Sequence, residues 1–161
     1  MSIGVRQAED HDIAAMAAIR SREWETEAYW EARIRGYLSG RHSPQQALPD
    51  RAAFVAMNDG LLVGFVAGHR TLRYACDGEL EWINVVEEQR GHGIAGKLLA
   101  AIGAWFAHRD ALRVCVDVDP KNAAARQLYS KYGALPLNNH WMVWEDVRAI
   151  DEAGKGLIPS R

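Results

Sequence analysis

The stretch from Glu87 to Leu99 reads Glu-Glu-Gln-Arg-Gly-His-Gly-Ile-Ala-Gly-Lys-Leu-Leu, and its residue types point to anion binding. Gly91, Gly93 and Gly96 let the backbone turn without Cβ clashes, and apolar residues then recur at helical spacing through Ile94, Leu98, Ile102, Trp105 and Phe106. A strand therefore runs into a glycine-rich turn that opens a helix. The first amides of such a helix lack a backbone acceptor and its dipole favours negative charge, so Gly91 to Gly96, with Ile94 and Ala95 between them, form a candidate phosphate cradle. Arg90 adds a permanent cation at the lip, and His92 stands between two of the glycines. Written as Gly-x-Gly-x-x-Gly with Asp117 beyond it, the turn also matches a dinucleotide fingerprint. The four polar residues Glu87 to Arg90 that follow the strand argue against that reading and against a nicotinamide-dependent oxidoreductase.

The elements that position this turn follow from pattern. Ile3 to Gln7 reads as a strand, Asp10 as the cap of a helix with Ile13, Met16 and Ala17 on its apolar face, and Thr26 as the cap of a second helix stopped by Gly40. After a loop from Ser43 to Asp50, strands at Ala52 to Met57 and Leu61 to Thr71 flank the turn Asn58-Asp59-Gly60. Arg73 to Gly78 is a second turn before the strand Glu79 to Val86. His69, near a strand end, reads as a surface residue. Beyond the helix Ile94 to about His108 comes a β-branched strand, Leu112 to Val118, parallel to the earlier one because a helix joins them. Asn122 begins a helix with Ala125, Leu128, Tyr129 and Tyr132 on one face. Leu135 to Leu137 and Trp141 to Val147 close the fold as a hairpin. The reading is one domain over 1–147 with a tail, 148–161, that shows no periodicity.

Composition sets outer limits. The 161 residues suit a single core, with 48% hydrophobic and 25% charged side chains. A net charge of −2 gives no electrostatic footprint for nucleic acid or an anionic membrane. The start lacks a secretory pattern and no stretch reaches the apolar length of a membrane span, so a cytoplasmic protein is expected. Cys76 and Cys115 stand in neither metal-ligand nor Cys-x-x-Cys spacing; they read as reduced thiols, and no metal is expected.

Two motifs carry a family resemblance. Arg90-x-x-Gly93-x-Ala95 resembles the pyrophosphate loop of the GNAT superfamily of N-acetyltransferases, and Asn122-x-x-Ala125-x-x-Leu128-Tyr129-x-x-Tyr132-Gly133 resembles its second signature, in the same order. Ala134 stands where the family usually has an aromatic, and Glu87 where it often has proline. The resemblance implies an α/β (α+β) fold: a mixed six- to seven-stranded sheet, helices on both faces, and a central parallel strand pair that splays apart. It implies that acetyl-CoA enters the splay, its pantetheine arm pairing with backbone around Val85 and Val86 and its pyrophosphate lying on the turn near Arg90, Gly91, His92, Gly93, Ile94, Ala95 and Gly96. Asn122 matches the motif asparagine and is also explained as a helix cap.

Transfer to an amine requires removal of a proton. An alkylammonium of pKa about 10.4 is neutral in only about one part in 10³ to 10⁴ at pH 7, roughly 4.6 kcal/mol uphill. The resemblance points to Glu81 as the base, with Glu79 as the reserve, and strand alternation places Glu79, Glu81, Ile83 and Val85 on one face. By the family's pattern Tyr129 gives a proton to the departing thiolate. Trp24, Tyr29, Glu79 and Glu81 are the expected substrate contacts, because the region between the first two helices overhangs the acceptor in such proteins; packing of these aromatics onto the sheet is the alternative. Acidic Glu25, Glu27, Glu31, Glu79 and Glu81 suit a cationic small-molecule amine. A peptide N-terminus or lysine is the other acceptor class, and a non-catalytic acyl-CoA sensor the other function class. A homodimer through the C-terminal hairpin and tail is a further expectation.

Overall fold

Residues 2–156 are described by a computed structural model of the chain. Short-range rules account for most of the elements. After β1 (Ile3–Gln7) a single 3₁₀ turn leads into α1 (Ile13–Ser21). Here Asp12, not Asp10, organises the entry: its carboxylate accepts from Glu9 N at 2.7 Å and from Arg6 Nη1 at 2.7 Å. α2 (Glu27–Ser39) starts where Thr26 Oγ1 accepts from Tyr29 N at 3.0 Å and stops at Gly40, whose φ of +83° only glycine adopts freely. β2 (Ala47–Asn58) and β3 (Leu61–Thr71) are joined by Asp59 and Gly60, with φ of +52° and +80°, the two left-handed residues that match the twist of a tight hairpin. β2 begins earlier than the pattern suggests, because Ala47 pairs with Thr71 across an irregularity before Arg51.

The remaining elements are β4 (Gly78–Val85), α3 (Ile94–His108), β5 (Val114–Asp117), α4 (Ala123–Lys131), β6 (Leu135–Pro136), β7 (Trp141–Trp144) and α5 (Ala149–Gly156). The seven strands form one sheet in the order β1-β2-β3-β4-β5-β7-β6, in which β4 and β5 are parallel and the other pairs antiparallel. Helices cover both faces. A Cβ added to Gly64, Gly68 or Gly78 would press on Leu98 or Phe106 of α3, so those positions face α3. Phe65, Ala67 and His69 alternate to the other side, where Tyr37 of α2 meets His69. Within the segment read as a tail, Ala149–Gly156 is helical and the buried Ile150 reaches Gly103 of α3; residues 157–161 lie outside the described residues. Among the described residues no helix is long and apolar enough to cross a membrane.

Two irregularities of β4 shape everything that follows. Its pairing with β5 covers only Gly78, Glu79 and Leu80, opposite Val114, Cys115 and Val116, and then ends while β4 runs on to Val85. The parallel pair splays there. On the other side, Leu80 pairs with Gly68 and Trp82 with Ala67, so Glu81 is the extra residue of a β-bulge. Simple alternation fails at that point. Ile83 and Val85, opposite Val66 and Gly64, lie on the α3 face, whereas Glu79, opposite His69, lies on the α2 face.

Candidate functional site

The splay opens a cleft of about 970 Å³ whose walls are β4, the start of α3, the end of β5 and one side of α4. Along β4, the bond from Val86 N to Val63 O (2.9 Å) fixes which peptide groups serve the β3 ladder. In an antiparallel pair these alternate, so the amides and carbonyls of Ile83 and Val85 turn toward the open edge. The Val85 carbonyl accepts from Arg90 Nε at 3.0 Å. Val86 is buried outside the cleft lining, its amide already committed to β3.

At the head of α3 the first helical bond runs from Lys97 N to Gly93 O at 3.2 Å. The amides of Ile94, Ala95 and Gly96 therefore have no helical acceptor, and all three residues line the cleft. Gly91 and Gly93 hold φ of +86° and +77°, and a Cβ on either would meet nothing within 4 Å. These two glycines serve backbone shape. Gly96 serves packing instead, since a Cβ there would overlap the hydroxyl of Tyr132. His92 is exposed and outside the lining, its Nδ1 3.0 Å from Gln89 O. Asn122 lines the cleft, but its side-chain oxygen accepts from Ala125 N at 3.1 Å as the cap of α4.

The deep wall carries the ionisable groups. The bulge swings Glu81 to the α2 side, where its Oε1 lies 4.0 Å from His69 Nδ1. Burial pushes the Glu81 carboxyl above its ordinary range, and the nearby His69 opposes that rise. Glu79 is buried and held by Arg73 Nε at 3.0 Å and by the Thr71 hydroxyl at 3.4 Å. His69 is not a surface residue, as the sequence suggests, but wholly buried, because its position on β3 falls under Tyr37 of α2, whose hydroxyl is 2.8 Å from Nδ1. Single ligand-type atoms of His69, Glu79 and Glu81 all lie within 4.8 Å of one another; the Arg73 guanidinium already supplies Glu79 with positive charge.

Tyr129 projects from α4 into the same cleft, packed edge-to-face on Trp144 at 5.6 Å. Burial raises its phenol above the ordinary value and keeps it a proton donor, while Arg20 pulls the other way. Arg20 of α1 also lines the cleft and donates to Asn84 Oδ1 at 3.0 Å; Asn84 in turn reaches Glu23 at 3.4 Å. Trp24 and Tyr29 do not line it. Tyr29 stacks on Trp30 and Trp24 meets it edge-to-face; Trp30 in turn meets Trp82 of β4, so both stand one aromatic layer away. Glu25, Glu27 and Glu31 are likewise absent from the lining, and Glu23, Asp117 and Asp119 supply its acidic rim instead. Sequence reasoning misses Arg20, His69 and Asn84; the one signal for His69 is its place opposite Glu79, visible only once the register is known.

Comparisons with known proteins agree with this fold. The model of the Acetyltransferase (GNAT) family matches residues 8–134. Aminoglycoside N(6')-acetyltransferase type 1 of Salmonella typhimurium is 30% identical over 88 residues, 51% of this chain, and the match spans only 61% of that relative's length. Among solved structures, the PaiA N-acetyltransferase of Thermoplasma acidophilum in complex with coenzyme A superposes with a TM-score of 0.68 at 19% identity, covering 91% of this chain and 99% of that one. AAC(6')-Iy in complex with a CoA-S-monomethyl-acetylneamine bisubstrate analogue gives 0.71 at 21% identity, over 86% and 94% of the two chains.

Proposed function

The chain belongs to the Acetyltransferase (GNAT) family, and we propose that it moves an acetyl group from acetyl-CoA directly onto a primary amine of a cationic small molecule. The open β4 edge carries this reading: an extended, amide-bearing arm supplies hydrogen-bond partners to the peptide groups of Ile83 and to the Val85 amide, which β5 no longer reaches. The free amides of Ile94, Ala95 and Gly96 fit a pyrophosphate at the mouth. When bound, acetyl-CoA supplies the activated thioester carbonyl. The chain's own residues do the rest. Glu81, raised by burial, takes a proton from the acceptor ammonium, and Tyr129, kept protonated by burial, gives one to the departing sulfur. Glu23, Asp117 and Asp119 around the cleft favour a positively charged acceptor. The aminoglycoside acetyltransferase relative supports the same substrate class.

The test is release of the coenzyme A thiol with acetyl-CoA at saturation and a panel of polyamines, amino sugars and basic peptides. Highest kcat/KM on a polycationic small molecule is expected. Preference for peptide N-termini or lysines replaces the acceptor class, and tight coenzyme A binding without turnover on any amine replaces catalysis with sensing.

A further inference from the structure

His69 is the group that the acyl-transfer chemistry leaves without a role. It lies toward the end of β3, wholly buried, with Nε2 unpartnered among the described residues. A buried polar atom left without a partner is costly, so its retention beside two carboxylates calls for an explanation. Its ring is not free to turn: Tyr37 Oη sits 2.8 Å from Nδ1, and the two rings pack at 5.6 Å between centroids. From that fixed position Nε2 faces Glu79 Oε1 at 3.6 Å and Nδ1 faces Glu81 Oε1 at 4.0 Å.

The two carboxylates are not equivalent. Glu79 has its own partners in Arg73 and Thr71. Glu81 makes no hydrogen bond to any described residue, and His69 is the nearest group able to carry positive charge. We propose that His69 is a positioning residue for Glu81: clamped by Tyr37, it is held with Nδ1 4.0 Å from the bulged carboxylate. A positive charge on the ring at that distance favours a carboxylate able to accept a proton. The proposal rests on the acyl-transfer reading of the cleft. In the step it serves, an N–H bond of the acceptor ammonium breaks, an O–H bond forms on Glu81, and the electron pair stays on nitrogen for attack.

Other charged and titratable groups surround this pair. Arg20 from α1, Arg33 from α2, Arg73 from the turn before β4 and Glu79 from β4 itself act on Glu81, while Tyr37 from α2, with Arg51 of β2 over its ring, lies against His69. The arginines keep their charge at every working pH. Their presence makes the effect of His69 a shift in a profile rather than an all-or-none loss.

The measurement is kcat/KM for one amine against pH at saturating acetyl-CoA, so that the acceptor's own titration is common to all variants. His69→Gln moves the acidic limb to higher pH: kcat/KM on that limb falls by roughly tenfold, and the alkaline plateau stays within about twofold of wild type. Tyr37→Phe, which keeps the ring but releases it, moves the limb the same way by less. An unmoved limb in folded His69→Gln, or an equal loss at all pH, overturns the proposal; if that variant does not fold, an unmoved limb in Tyr37→Phe overturns it. Glu81→Gln separates the two readings. If it turns over like wild type, Glu81 is not the base and the reading beneath the proposal fails first; if it is inactive while both other profiles match wild type, only the role of His69 fails.

Discussion

The two walls of the cleft are made of different material. At the mouth, Arg90 to Gly96 work through main-chain groups set by neighbouring residues in the chain, in a turn that is largely open to solvent. In the depth, the side chains of Glu79 and Glu81 line the cleft with His69 and Tyr37 packed behind them, groups from three elements that meet because the β3-β4 register and one bulge bring them together. A backbone wall tolerates many side chains and is sensitive to φ. A side-chain wall is sensitive to identity, since buried groups such as His69 and Glu79 sit where water cannot make up for a lost partner. In the proposed function one wall holds the ligand and the other moves protons.

The sharpest test of that division is Glu81→Gln. Loss of a general base costs roughly 10² to 10⁴ in turnover, whereas coenzyme A binding, followed by equilibrium titration, is expected to stay unchanged. A parallel loss of binding would mean that the walls do not divide their labour. Tyr129→Phe comes next: about 10² in kcat from removal of the proton donor, again with binding retained. A Tyr129→Phe variant with wild-type kcat would leave the phenol as packing against Trp144.

The same division explains what could be read from the sequence. Thr26, Gly40 and the Asp59-Gly60 turn act within a few residues, so local pattern places α2 and the β2–β3 hairpin correctly. The glycine turn is legible for the same reason. Glu81 stands out in the sequence, but alternation puts it on a face shared with Ile83 and Val85, which the bulge overturns. A bulge leaves no local mark in the alternation of side chains. His69 reads as a surface residue because a polar residue near a strand end is usually wet, and no short-range signal reports that Tyr37 closes over it. The sequence pattern directs Trp24 and Tyr29 to the acceptor, whereas their rings pack on Trp30, Trp24 by its edge and Tyr29 by its face, and not on the lining.

Gly93→Ala probes the backbone wall alone. A Cβ there meets nothing, so the whole effect is the strain of φ +77°, about 1–2 kcal/mol. Divided between fold and ligand, it is read as a lower Tm and up to roughly tenfold weaker coenzyme A binding, with the pH profile unmoved. Gly93→Asn loses less, because asparagine visits that region more readily. A displaced acidic limb in Gly93→Ala would couple the two walls.

The smallest expected effect separates carboxylates that serve the fold from those that serve the cleft. Hydrogen bonds from Arg6 hold the Asp12 carboxyl below its ordinary range, against a smaller desolvation cost. A depressed folded pKa contributes stability that is present above the unfolded value, about 3.9, and lost as pH falls through the lower folded one. Glu81 carries the opposite sign: with its folded value raised, the protein loses stability as pH rises from the unfolded value, about 4.3, through the folded one. At pH 7 Asp12→Ala therefore lowers stability by about 1 kcal/mol through loss of its capping bond to Glu9, and Glu81→Gln leaves stability equal or higher. In acid the Asp12→Ala deficit narrows and any advantage of Glu81→Gln disappears, because wild-type Glu81 is then neutral as well. Melting curves at pH 3.5 and 7 on the three proteins read both signs, and a Glu81→Gln variant less stable than wild type at pH 7 would make that carboxylate part of the scaffold rather than the chemistry.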